Sequence, residues 1–175
     1  MASLLPNSTY RSSPLPFATP ARCTTSPPAS LVEAVQGAVH QIEECRLLPM
    51  VGRSASFAFQ PRVLLAILTY CYAQQIYGSS KILDYLSRDE AFRTACRAEF
   101  PNDRELQSFR KQNRRVIEKC LASALHFLAR QKVAQGFVTR IHESFIAEEA
   151  KRRIIMAACV DSLELEEGNR QLAEI

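Results

Sequence analysis

Residues 61 to 78 read PRVLLAILTYCYAQQIYG, and this stretch decides the fold. Pro61 suits the first turn of a helix, because its missing N–H would have no partner there anyway. Val63, Leu64, Leu65, Ile67, Leu68, Tyr70, Cys71, Tyr72 and Ile76 then cover almost the whole circumference. A helix that is apolar all round has to be enclosed by other helices. The run is shorter than the ~20 residues a membrane span requires, and it contains Gln74 and Gln75. It therefore predicts the central helix of a bundle, stopped by Gly78.

Working outward, the pattern stays helical on both sides. Ser30 and Glu33 have the spacing of a capping box, in which each side chain satisfies the other residue's backbone N–H. Leu31, Val35, Val39 and Ile42 follow on one face, predicting a helix to about Leu47, before Pro49 and Gly52. Beyond Gly78 a short helix is expected from Ser80 to Leu86, with Ile82, Leu83 and Leu86 inward. Another begins after Ser87, boxed with Glu90, and buries Phe92, Ala95 and Cys96.

Pro101 breaks the chain, and Asn102 with Glu105 caps a long helix. Leu106, Phe109, Asn113, Val116, Cys120, Ala124 and Leu128 lie along it at alternating spacings of three and four, flanked by Ile117, Leu121 and Leu125. That is the spacing of a bundle or coiled-coil seam. Gly136 ends it, and a last helix is expected from Thr139 to about Glu167, with Ile141, Phe145, Ile154, Ile155, Ala158 and Leu163 inward. No alternating run flanked by Asn-Gly or Asp-Gly suggests a strand. The expected fold is all-α: a compact multi-helix bundle with a long central helix and an additional C-terminal helix.

Three segments are expected. Residues 1–28 form a Ser/Thr/Pro-rich tail whose only charges are Arg11 and Arg22; such a composition cannot bury enough apolar surface to fold alone, and it also suits a transit peptide. Residues 29–135 form the helical domain, and 136–175 an acidic helical extension. Net charge is +4, unevenly placed: 12 Lys/Arg against 7 Asp/Glu from Gly78 to Gln135, or +5, and 5 against 8 from Gly136 to Ile175, or −3.

Catalytic groupings are absent from the pattern. Cys23, Cys45, Cys71, Cys96, Cys120 and Cys159 form no C-x-x-C pair and lie near no suitably spaced histidine, so they read as small apolar residues in a reduced cytosol. His40, His126 and His142 are isolated. Cys120 and His126, six apart, do not share a helix face. No glycine-rich phosphate loop occurs. Glu148, Glu149, Glu164, Glu166 and Glu167 read as a solvated face, and Asp161 as a lone carboxylate where a phosphoryl-transfer metal site needs several. No enzyme, cofactor or metal is expected.

The most informative polar run is Arg110-Lys111-Gln112-Asn113-Arg114-Arg115. Arg110 and Arg114 are one turn apart, as are Lys111 and Arg115. Four cations on adjoining faces could straddle a phosphate backbone, each contact releasing counterions, while Gln112 could reach a base edge. The other reading is a solvated face with Glu118 paired back to Arg114 or Arg115.

Phe59 to Arg110 reads FQPRVLLAILTYCYAQQIYGSSKILDYLSRDEAFRTACRAEFPNDRELQSFR. It resembles the N-terminal helical domain of insertion-sequence transposases with an Asp-Asp-Glu catalytic core. The likeness rests on Pro61, Arg62, Leu64, Leu65, Leu68, Tyr70 and Tyr72; on the turn Tyr77, Gly78, Ser79, Ser80 and Lys81; on Asp89, Ala91, Phe92 and Arg93; and on Pro101, Asp103, Phe109 and Arg110, with Asn102 inserted. It covers about a third of the chain. In that family a ribonuclease-H-like domain with three metal-binding acids follows. Here no residue after Gly136 matches that triad, so strand-transfer chemistry does not carry over.

The resemblance implies a truncated or domesticated DNA-binding relative, located in the cytoplasm on the nucleoid. Arg110, Lys111, Arg114 and Arg115 would contact phosphates of double-stranded DNA, and Ser79, Ser80 and Lys81 would contribute from a helix N-terminus. The seam of the long helix could pair two copies on inverted repeats. The alternatives are an assembly module regulating a full-length transposase through mixed oligomers, and a gene fragment without function.

Overall fold

A computed structural model describes residues 28–43, 46–48, 60–88 and 100–173, and these form an all-α fold. Six helices are present among them: α1 (Leu31–His40), α2 (Pro61–Ala73), α3 (Ser79–Arg88), α4 (Asp103–Gln112), α5 (Arg114–Ala134) and α6 (Glu143–Ala173). The expected Ser/Thr/Pro-rich tail and the short helix over Phe92, Ala95 and Cys96 lie outside the described residues.

α2 is enclosed as its composition demands. Leu64, Leu65, Ile67, Leu68, Cys71 and Tyr72 have almost no exposed surface. α1, α4, α5 and α6 surround it, and α5 in turn packs against α1 and α6. Val35 and Val39 from α1, Ile82 and Leu86 from α3, Leu106 and Phe109 from α4, and Ile117, Leu121 and Ala124 from α5 complete the core. A buried leucine in such a core contributes about 2–5 kcal/mol relative to alanine.

The helix starts follow from local chemistry. Ser30 Oγ accepts from the Glu33 N–H at 3.2 Å, while Glu33 reaches one residue further back, to the Ala29 N–H at 2.7 Å. Asn102 and Glu105 close a full capping box, at 3.0 and 2.7 Å.

Helix ends differ more from the sequence reading. α1 stops at His40 rather than near Leu47. The chain turns there, Arg62 donates to the Ile42 carbonyl at 3.1 Å, and Leu47 drops into the core. α2 stops at Ala73, before Gly78: Gln75 takes a left-handed φ of 64°, and the Ile76 N–H bonds the Cys71 carbonyl at 2.9 Å. That is a glycine-type helix terminator built on a glutamine. At the end of α5, Gly136 (φ 79°) forms the same motif, with the Phe137 N–H on the Lys132 carbonyl at 2.9 Å.

The expected single long helix is two. Asn113 leaves helical geometry between α4 and α5 (φ −105°, ψ 19°). Its side-chain oxygen accepts from the Leu48 N–H at 2.8 Å, and its amide donates to the Leu48 and Phe109 carbonyls at 3.0 and 3.2 Å. A short amide side chain that bonds backbone groups competes with the helix ladder, and this one also ties down the loop after α1. Most of the apolar seam along α4 and α5 is buried within the chain, with Val116 and Leu128 partly exposed.

α6 begins at Glu143, later than Thr139, and runs to Ala173, past Glu167. It also faces differently. Ile154 is buried as expected, but Phe145, Ile155, Ala158 and Leu163 point outward. The buried set is Ile146, Ala150, Arg153, Ile154, Ala157 and Asp161. α6 carries apolar residues on two faces, and the one that packs includes an arginine and an aspartate with partners waiting on α2, α3 and α4.

The two terminators make opposite predictions. Gln75→Gly removes the steric cost of a left-handed side chain and is expected to stabilise by about 0.5–1 kcal/mol. Gly136→Ala is expected to cost about 1 kcal/mol. Urea midpoints of the two variants against wild type check both.

Candidate nucleic-acid interface

The residues expected to contact phosphate divide into two groups. Arg110 is 7% exposed and sits inside the bundle. Its Nη2 lies 2.5 Å from Asp161 Oδ2, and its Nη1 donates to the Tyr72 hydroxyl at 3.2 Å. Burial opposes the Arg110 charge, but the Tyr72 hydroxyl and Asp161 outweigh it and raise its pKa. Tyr72 itself is pushed up to about 12 by burial and stays neutral.

Asp161 also fills the site at the start of α3. Its Oδ1 accepts the Ser79 N–H at 2.7 Å and its Oδ2 the Ser79 hydroxyl at 2.8 Å, while Ser80 Oγ donates to Glu164 at 3.0 Å. A helix N-terminus attracts anions through its free N–H groups and its dipole. Here the anions are the protein's own carboxylates. Arg110 and Ser79 are therefore removed from the phosphate-contacting set, and Ser80 is engaged. The reason is burial: two groups expected to face solvent found a carboxylate from α6.

Lys81, Lys111, Arg114 and Arg115 are exposed. Lys119 stands one turn beyond Arg115, giving four exposed cations around the α4–α5 bend; Arg114 lines a hollow against α6 with Glu148, Glu149 and Arg152, and Arg115 and Lys119 line another with Glu118. Among the described residues none of Lys111, Arg114, Arg115 and Lys119 is in an ion pair. Glu118, expected to pair back to Arg114 or Arg115, instead lies within electrostatic reach of Lys151 on α6.

A second arginine missed by the sequence reading docks α6. Arg153 Nη1 donates to the Tyr72 and Ala73 carbonyls at 2.9 and 2.8 Å, and its Nε donates to Glu149 at 2.7 Å. It caps the C-terminal end of α2, where a cation meets both free carbonyls and the negative end of the helix dipole. Arg152, bonded to Glu149 at 2.6 and 2.8 Å, and Arg153 beside it hold that carboxyl down at about 2, against the partial burial that pushes it up.

One signal for Arg110 was present in the sequence. It stands four residues after the buried Leu106, one turn along α4, which permits an inward side chain without naming the carboxylate that would meet it. Burial raises the Cys71 and Cys120 thiols to about 12, which leaves them unreactive. His126 Nε2 lies 3.1 Å from Glu143 at the surface. Among the described residues no group of three His, Cys, Asp or Glu could hold a metal ion, and no helix is long and apolar enough to cross a membrane.

Set against known proteins, the chain matches no protein-family model, no curated protein and no solved structure.

The buried pair predicts a specific stability pattern. Asp161→Ala leaves Arg110 charged and unpaired in the core and is expected to cost about 3–5 kcal/mol in urea denaturation. Arg110→Met combined with Asp161→Leu removes both charges and is expected to recover about half of that loss.

Glu149 predicts an acid transition. Its folded pKa lies below the ordinary carboxylate value of 4.5. The stabilisation is therefore complete above pH 4.5 and lost as pH falls toward about 2. Denaturation midpoints across that window are expected to fall in wild type and to flatten in Glu149→Gln.

Proposed function

We propose that the protein associates with duplex DNA through the outer side of the α4–α5 bend, as a truncated or domesticated relative of the transposase N-terminal domain, without strand-transfer chemistry. The carrying observation is that Lys111, Arg114, Arg115 and Lys119 are exposed and, among the described residues, in no ion pair. Exposed cations gathered around this bend raise the local positive potential against the nearby Glu118, Glu148 and Glu149, and neutralising phosphates with them releases condensed counterions. Gln112, exposed beside them, bonds Ser108 at 3.0 Å and stands where it could turn to a base edge. Arg110 and Ser79 play a structural part in this reading, and Lys81 is a peripheral contact.

A second reading is an assembly module that meets a full-length transposase in mixed oligomers. It is favoured by the apolar residues that α6 leaves exposed, Phe145 at 67% and Leu163 at 64% among them.

Binding to a mixed pool of duplex DNA, measured at several salt concentrations, separates the two. Wild type is expected to show a steep fall of affinity with salt. The variant with Lys111, Arg114, Arg115 and Lys119 changed to Ala is expected to lose slope by about 0.9 for each phosphate contact removed. These side chains are exposed, so the variant should keep its fold by circular dichroism. Salt-independent or undetectable binding by wild type at micromolar protein would rule out the DNA reading.

A further inference from the structure

α6 exposes a stripe opposite the side on which it packs; at its N-terminal end Glu148, Arg152 and Ile155 line a hollow with Arg114 of α5. The stripe consists of Glu148, Arg152, Ile155, Cys159, Leu163, Glu166 and Arg170, all exposed, with Met156 beside it. Ile146, Ala150, Ile154, Ala157 and Asp161 occupy the opposite, buried side. The intervals along the stripe are four, three, four, four, three and four. That sequence of intervals is the same read in either direction about Cys159. Two eleven-residue repeats at 3.67 residues per turn nearly match a straight helix, so the stripe stays on one face across its length.

The chemistry reverses along with the spacing. When a second α6 is laid antiparallel across the first, with the two-fold axis at Cys159, each position meets its mirror position. Ile155 then meets Leu163, Glu148 meets Arg170, and Arg152 meets Glu166. Apolar faces apolar near the axis, and acid faces base on either side. A stripe meeting a different protein has no reason to be self-complementary in this way, whereas a two-fold interface requires it.

We infer that this face of α6 is the contact between two copies of the chain, packed antiparallel through Ile155, Cys159 and Leu163, with Arg152 and Glu166 pairing across the axis. Glu148 holds Lys151 through Oε1 at 2.8 Å and keeps Oε2 for the second copy. Arg152 uses only Nε and Nη2 on Glu149, which leaves Nη1 for the second copy. Glu166 and Arg170 of one chain stand 3.9 Å apart in a loose contact. Exposed ion pairs contribute little on their own, so Ile155, Leu163 and Met156 supply affinity while the charges set direction and register. Among the described residues most of the seam of α4 and α5 is spent inside the fold, while α6 keeps an uncovered apolar side. The inference does not rest on DNA association, because none of the four cations of the α4–α5 bend lies on α6.

Light scattering on the full chain without DNA, across protein concentrations up to about 100 µM, tests it. The expected mass is twice 19.7 kDa, with a dissociation constant in the micromolar range. Leu163→Glu is expected to give a monomer with unchanged helix content. Arg152→Glu and Glu166→Arg should each weaken the dimer about tenfold, and the two combined should restore it. A short bis-maleimide should cross-link wild type into dimers and leave Cys159→Ser uncross-linked at that position. A monomer at every concentration, a dimer indifferent to Leu163→Glu, a double charge reversal weaker than either single change, or no cross-link through Cys159 overturns the proposal.

Discussion

A buried arginine and a buried aspartate 51 residues apart hold this fold in its arrangement. Arg110 from α4 and Asp161 from α6 meet where α2 ends and α3 begins, and Tyr72 and Ser79 complete their hydrogen bonds. Taking both charges out of water is costly, and the mutual attraction offsets that cost only when the remaining donors and acceptors are also satisfied. The carboxylate accepts three hydrogen bonds here, and the guanidinium donates to two partners. Such a pair contributes more to specificity than to stability: α6 cannot slide or rotate on the bundle without stranding a charge.

Arg153 works alongside it about two turns earlier on α6. By bonding two carbonyls at the end of α2, it meets the Ala73 carbonyl and adds a charged donor to the Tyr72 carbonyl, which the Gln75 N–H also reaches at 3.1 Å. Gly78 lets the helix approach there, since a Cβ at that position would stand 2.6 Å from Glu164 Oε1 and 3.2 Å from Val160. One helix end, one glycine and two arginines thus fix the seating of α6, and with it which of its two apolar sides stays outside.

That seating redistributes the charge of the chain. The run from Arg110 to Arg115 holds four cations in sequence, but folding withdraws Arg110 into the core and leaves Lys111, Arg114 and Arg115, joined by Lys119, on the surface. The acidic extension likewise divides: Asp161 and Glu164 cap α3, Glu149 serves the arginines of its own helix, and Glu148 and Glu166 remain on the outer stripe. The expected solvated acidic face holds for Glu148, Glu166 and Glu167, whereas Glu149 and Glu164 are partly buried; Asp161, read as a lone carboxylate, is buried against Arg110 and Ser79.

The all-α class, the enclosure of α2, the starts of α1 and α4 and the glycine stop after α5 were legible from residue order. Each depends on neighbours within a few positions: an apolar circumference, a capping pair, a glycine free to take positive φ. The break at Asn113, the early ends of α1 and α2, the burial of Arg110 and the facing of α6 were not. Asn113 breaks its helix because Leu48 arrives beside it, and Arg110 is buried because Asp161 does. A polar group's fate depends on whether a partner reaches it in space. Periodicity in one helix cannot report that, and only the packed tertiary structure decides it.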